Sequence, residues 1–344
     1  MNTNDQKVKS RKRFFPAIWN YTKNNPIVIM MVIVSLAVGF TVDNFFSWNN
    51  FNNLSINTSV RFIIALGVSG TLITKGTDLS AGRQVGLAAC LTAMLVQRAD
   101  YADKILPLTK DMNVWLVLLI VIAVGALLGL LNGFIIAVIN IPPFIATLGT
   151  QTMIYGISLI ITDSQPVGGL QKNYIEKVNK LLFKGDSYPG LPVLLIVAVV
   201  FGLLFWFLYE KTTHGKYMYA IGGNEAAAEV SGVNTRLSKI LVYTIAGVMY
   251  AIAGFLLAGK AGGSSAGLGS GYELEAIAGC TIGGVSTTGG VGTIGGVLVG
   301  VLVFELLKIV LQFLGVNPYY NYIVQGLVIV IAVAVDIRKY IKRK

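Results

Sequence analysis

The chain has 344 residues, 54 % of them apolar and 12 % charged, with a mean hydropathy of +0.70. Soluble domains carry about 25 % charged residues, so this composition excludes a water-soluble globule and a disordered tail and leaves a polytopic membrane protein. The net charge of +11 is scattered over segment ends and tails, without a basic stripe interleaved with aromatics. That pattern argues against nucleic acid as a partner and for a membrane-orientation signal.

Apolar stretches near residues 27–46, 59–75, 79–97, 113–139, 143–162, 191–209, 238–258, 273–285, 290–314 and 319–337 predict an all-α protein with about ten transmembrane helices. The polar lead of about 25 residues and the lack of an A-x-A-like site predict a retained first span instead of a cleaved signal peptide. The expected organisation is a cytoplasmic tail over 1–26, a transmembrane domain over 27–337 with a cytoplasmic loop at 210–238, and a basic cytoplasmic tail over 338–344. Ten spans of ~20 residues leave no room for an added soluble catalytic domain, so soluble work falls to partners.

With the N-terminus inside, seventeen Lys and Arg fall on the inner side and nine on the outer, which satisfies the positive-inside rule and makes both termini cytoplasmic. Two segments look too short to cross, 59–75 and 273–285. Short, glycine-interrupted segments in a transporter are where broken helices and substrate paths occur, because freed backbone groups are tolerated only beside protein or a cavity. Close helix packing on glycine is the plainer alternative.

The run from Lys75 to Gln84 sets Thr77, Asp78, Ser80, Arg83 and Gln84 between two apolar segments. Charge there either pairs, faces an aqueous path, or belongs to an N-cap that starts the third span. Pro142, Pro143 and Phe144 form a tight interior turn, and Asn132, Thr147, Thr150, Gln151 and Thr152 are candidate path lining or interhelical bonds. In the inner loop, Gly222-Gly223-Asn224 reads as a turn and Glu225 to Val230 as a short helix capped by Asn224 and stopped at Ser231-Gly232. Its small face of Ala226, Ala227 and Ala228 suits insertion into a partner's groove. Glu305 and Lys308, at i and i+3, are expected to pair. The glycines from 259 to 300 lack the phosphate-loop frame, and the pairs Gly292/Gly296 and Gly296/Gly300 predict close helix contact. The cysteines, Cys90 and Cys280, and the lone His214 point to no metal centre or disulfide.

Five ordered motifs, RFIIALGVSGTLITKGTDLSAGRQVGLAA, IPPFIATLGT, YAIGGNEAAAEVSGVN, YELEAIAGCTIGGVSTTGGVGTIGG and GVNPYYNYIVQGLVIVIAVAVD, together resemble the permease subunits of bacterial ABC sugar importers of the ribose/galactose/xylose family. The resemblance runs from Val60 onward and is weak before it and over 163–190; the form of Thr77 to Gln84 is similar to the galactoside branch. It implies a multi-pass protein of the cytoplasmic (inner) membrane that imports galactose or methyl galactosides as a homodimer with a second copy of itself, the path at their interface. It implies two separate ABC ATP-binding subunits, which would use the ATP and Mg that this chain does not bind, and a periplasmic or lipid-anchored sugar-binding protein.

The same resemblance makes Gly215, Lys216, Tyr219, Ala220, Gly222, Gly223, Asn224, Glu225, Ala226, Ala227, Glu229, Ser231 and Gly232 the ATPase-coupling loop. Thr77, Asp78, Ser80, Arg83, Gln84, Asn132, Phe144, Thr147, Thr150 and Gln151 would belong to the path, and Tyr272, Glu273 and Glu275 to a binding-protein contact. Two other classes compete. An ion-coupled transporter would rely on Glu305, Asp336 or Asp78; an intramembrane enzyme would need a carboxylate or metal-ligand cluster that the sequence lacks.

Overall fold

The computed structural model describes residues 26–106, 111–185, 189–317 and 319–341. The basic tails 1–25 and 342–344 lie outside them. The elements are α1 (Pro26–Thr41), α2 (Trp48–Ile73), α3 (Ala81–Leu95), α4 (Val114–Ala137), α5 (Pro143–Ile161), α6 (Lys172–Val178), β1 (Leu181–Leu182), β2 (Leu191–Pro192), α7 (Val193–Lys211), α8 (Thr213–Gly223), α9 (Glu225–Val230), α10 (Thr235–Ala261), α11 (Tyr272–Ile282), α12 (Ile294–Phe313) and α13 (Tyr320–Ile341). Each predicted stretch coincides with one apolar helix, and six of these are long and apolar enough to cross a membrane: α2, α4, α5, α7, α10 and α12. β1 and β2 pair antiparallel in the outer loop.

α2 corrects the expectation of a short second span. It begins at Trp48 and runs 26 residues, because Ser47 Oγ accepts the Asn50 amide at 3.2 Å and Asn52 Nδ2 reaches Gly190 O at 3.4 Å. The polar first turns conceal this extension from a hydropathy reading. The other short segment is short: α11 has 11 residues, ~17 Å at 1.5 Å per residue, against a ~30 Å hydrocarbon core.

α2 and α10 form the centre, with 83 % and 72 % of their apolar windows buried, whereas α4, α5 and α7 bury only 22–28 % of theirs. α4 seats against α10 along Gly125, Gly129 and Gly133, where a Cβ would collide with the backbone of Gly247, Tyr243 and Ile240 respectively. The predicted glycine contact at Gly296 and Gly300 is present, against Gly283 and Gly279. Gly292 stands before the helix, on Ile73 and Val285, so its half of the pattern is a loop contact.

The loops segregate to two faces. On one, Gly290 N donates to Ile73 O at 2.8 Å and Lys75 Nζ lies 3.4 Å from Gly223 O. On the other, Val167 and Ser264 exchange backbone bonds of 2.7 and 2.9 Å, and Asn179 Nδ2 reaches Gly259 O at 2.9 Å. These are the inner and outer faces that the charge distribution assigns.

Two of the helices are half-length and oppositely directed. Tyr250 of α10 bonds Asp78, and Gly254 packs on Val85 and Ala89, which puts the start of α3 about 22 Å up a ~40 Å helix, near mid-depth. From the outer face, residues 262–271 descend along α3, with Ser264 beside Cys90, Leu268 beside Gly86 and Gly269 beside Gly82. There α11 begins and runs to the inner face. The N-termini of α3 and α11 therefore meet at mid-depth, the arrangement that lets irregular backbone exist inside a membrane.

Candidate functional site at mid-depth and at the cytoplasmic face

Asp78, 1 % exposed, organises the mid-depth junction. Its Oδ1 accepts from Ser80 N at 3.0 Å and Ser80 Oγ at 2.6 Å, and its Oδ2 from Tyr250 Oη at 3.2 Å. Ser80 Oγ in turn accepts from Gln84 Nε2 and Asn132 Nδ2, both at 2.9 Å. Thr147 Oγ1 accepts the Leu79 amide at 3.1 Å and lies 3.1 Å from Thr77 O. The loop between α2 and α3, together with α3, α4, α5 and α10, thus converges on one buried polar knot. Gln84 Oε1, Asn132 Oδ1 and the Tyr243 hydroxyl are buried in it without a protein partner.

The structure unites Thr77, Asp78, Ser80, Gln84, Asn132 and Thr147, with Thr150 one turn on, bonded to Thr147 O. The plain-cap reading is corrected: Ser80 occupies the N-cap position in α-helical geometry without a side-chain cap bond, because its hydroxyl serves Asp78. Arg83 is turned away. Its guanidinium lies 4.1 Å over the Tyr155 ring, with NH1 3.3 Å from Ala266 O. Phe144, 56 % exposed, stands at the start of α5 and Gln151 is half-buried further along it, neither of them bonded into the knot. Sequence reasoning missed Tyr250, Tyr243 and Tyr155, since no local pattern separates a packed tyrosine from one that meets a residue 172 positions away.

At the inner face, the expected short helix is α9. Asn224 Oδ1 accepts the Ala227 amide at 3.1 Å, and Gly232, at φ +85°, ends the element. The turn expected at Gly222-Gly223 is instead the last turn of α8, and the break comes at Asn224, whose φ of −155° is extended. Position 222 requires glycine for close packing inside the helix, since a Cβ there would collide with Ile73 O and Gly290 N. Tyr219 Oη donates to Gly292 O at 2.9 Å. Burial, then the charge of Glu210, pushes the Tyr219 phenol up to about 12, and burial lowers the His214 imidazole.

The face turned away from the bundle carries Lys216, Ala220, Gly223, Ala226, Ala227, Glu229, Ser231 and Gly232. Val230 is 91 % exposed, and Ala228 points inward instead of joining Ala226 and Ala227. Glu225 pairs with Lys239 of α10 at 2.5 Å.

A third cluster binds α2, α11 and α12. Arg61 Nε lies 2.7 Å from Glu275 Oε2 and 2.6 Å from Glu305 Oε1; Lys308 Nζ lies 2.7 Å and 3.1 Å from the same two carboxylates. Glu305 and Lys308 pair as expected, inside a neutral quartet. Glu273 and Glu275 differ from the outer-contact expectation, since both are drawn inward: Glu275 into the quartet, and Glu273, 7 % exposed, against Gly82 at the start of α3. Tyr272 is half-buried, its ring 4.9 Å from the Arg61 guanidinium.

Residues 50–333 match the family described as "Branched-chain amino acid transport system / permease component". The galactose/methyl galactoside import permease protein MglC of Escherichia coli (strain K12) is 44 % identical over 330 residues, covering 94 % of this chain and 97 % of that one. Its namesake in Haemophilus influenzae is 43 % identical, over 94 % and 96 %. The ribose import permease protein RbsC of Escherichia coli (strain K12) is 33 % identical over 332 residues, 96 % and 98 %. No solved structure matches the chain.

Proposed function

This chain belongs to the branched-chain amino acid transport system / permease component family and is a multi-pass protein of the bacterial inner membrane, and from that premise we propose that it is the permease subunit of an ATP-driven importer for galactose and methyl galactosides. In this reading two copies form the path, two separate ATP-binding subunits dock below, and a sugar-binding protein delivers from outside. The higher identity to the galactoside permeases than to the ribose permease favours galactose.

One observation carries the mechanism: α8 and α9 present an exposed, capped helix to the cytoplasm while Gly222 and Tyr219 rest directly on the inner ends of α2 and on the loop before α12. Closure of the ATP-binding subunits would push α9. Because Gly222 has no side chain to yield, the displacement passes to Ile73 and Gly290, hence to α2, whose end leads into the Asp78 junction, and to the loop between α11 and α12. Rigid displacement across packed interfaces switches access, and this chain performs no bond chemistry. Asp78 and its donors hold the broken α3 through the cycle.

The test is reconstitution in nanodiscs with ATP-binding subunits and binding protein. Galactose-loaded binding protein is expected to raise ATP hydrolysis, and Gly222→Pro or Glu225→Arg to abolish uptake at unchanged membrane level. Uptake that persists with both changes removes the coupling role. Uptake without the ATP-binding subunits, collapsing with uncoupler, replaces the importer reading with an ion-coupled one.

A further inference from the structure

Arg83 sits in the first turn of α3, near mid-depth, half-buried, and its partners are a carbonyl oxygen and an aromatic ring. A guanidinium facing lipid at the bilayer centre is costly, so this face of the subunit meets water or protein. α5 agrees with that. Beside Tyr155, 36 % exposed, it carries Gln151 and the exposed Thr152, whereas Ile160, 81 % exposed, marks an apolar part of the same helix. Behind Arg83, within its electrostatic reach, the Glu273 carboxylate is buried with Oε2 unpartnered. Arg83 and Glu273 offset one another, so the patch suits an uncharged ligand better than an anion.

Resting on the importer reading, we infer that Arg83 and Tyr155 form a contact station for the transported sugar. The open face of the Tyr155 ring packs on the C–H face of a pyranose, and the guanidinium donors reach its hydroxyls, with Gln151 one helical turn away as a further polar contact. Glu273 is the positioning residue that holds the charge balance. The pair lies across α3 from Asp78 and outward of the knot, since Tyr155 is eight residues, about 12 Å, beyond Thr147 along α5.

The test uses the full assembly in proteoliposomes. Tyr155→Leu is expected to cut galactose moved per ATP hydrolysed about tenfold, the size of one lost aromatic contact, and Tyr155→Phe to restore it. Ile160→Leu serves as the lipid-side control. Independently, Tyr155→Cys is expected to react with a membrane-impermeant maleimide faster than Ile160→Cys, and to be slowed by galactose during turnover; Cys90 and Cys280, both 0 % exposed, keep the background low. Native transport by Tyr155→Leu, or labelling of Tyr155→Cys no faster than of Ile160→Cys, overturns the station while leaving the importer reading intact. A native assembly that ignores the binding protein overturns both.

Discussion

The mid-depth junction and the cytoplasmic α8–α9 unit do opposite things with polar groups. At the junction Asp78 is buried between Ser80 and Tyr250 of α10, and in the quartet Arg61, Glu275 and Glu305 meet across three helices, so each side chain supports the fold. At the inner face the polar groups of α9 are bonded locally, to their own first turn and to Lys239, and the surface they leave free is available to a partner. A fold-bearing polar cluster and a transmitting one are thus told apart by whether removal costs stability or coupling.

The largest effect expected is at Arg61. Arg61→Ala leaves Glu275 and Glu305 sharing only Lys308, and a broken buried pair costs about 3–5 kcal/mol; thermal unfolding of the purified chain should show it, with Arg61→Lys losing much less. Next is Asp78→Ala, which strands the Ser80 amide and hydroxyl and the Tyr250 hydroxyl at about 1–3 kcal/mol, most of it recovered in Asp78→Asn. Equal losses for Ala and Asn would show that the carboxylate oxygens are not what the knot uses.

Glu225→Gln should cost under about 1 kcal/mol, since its pair with Lys239 is part-exposed, yet Glu225→Arg should stop uptake. That inversion of stability and function is the sharpest form of the contrast. The smallest effect concerns His214. Burial holds its pKa below the ordinary 6.5, so the unfolded chain binds the proton first; stability is full above 6.5 and declines as pH falls toward the lowered folded value. A single group limits the slope to about 1.4 kcal/mol per pH unit, and His214→Leu should flatten it.

α9 was legible because its determinants are contiguous: Asn224 to cap, Glu225 in the first turn, Gly232 to stop. The neighbouring turn at Gly222-Gly223 was misread for the complementary reason. Glycine signals a turn locally, but here it answers to two backbone atoms 149 and 68 residues away, at Ile73 and Gly290. The start of α2 escaped notice because its first turns are polar and are stabilised by a cap and by the outer loop. Glu275 read as an outer contact because its partners, Arg61 and Lys308, are contributed by two other helices.

Composition and hydropathy alone determined that this is a polytopic all-α membrane protein and where its apolar helices lie, because the cost of burying polar backbone and charge in lipid acts on each segment separately. The tertiary structure decided which segments are broken at mid-depth, that Asp78 and Arg83 part company across α3, and that a neutral quartet anchors α11. Those outcomes depend on which side chains from distant helices arrive at the same depth, a property that no window of the chain contains.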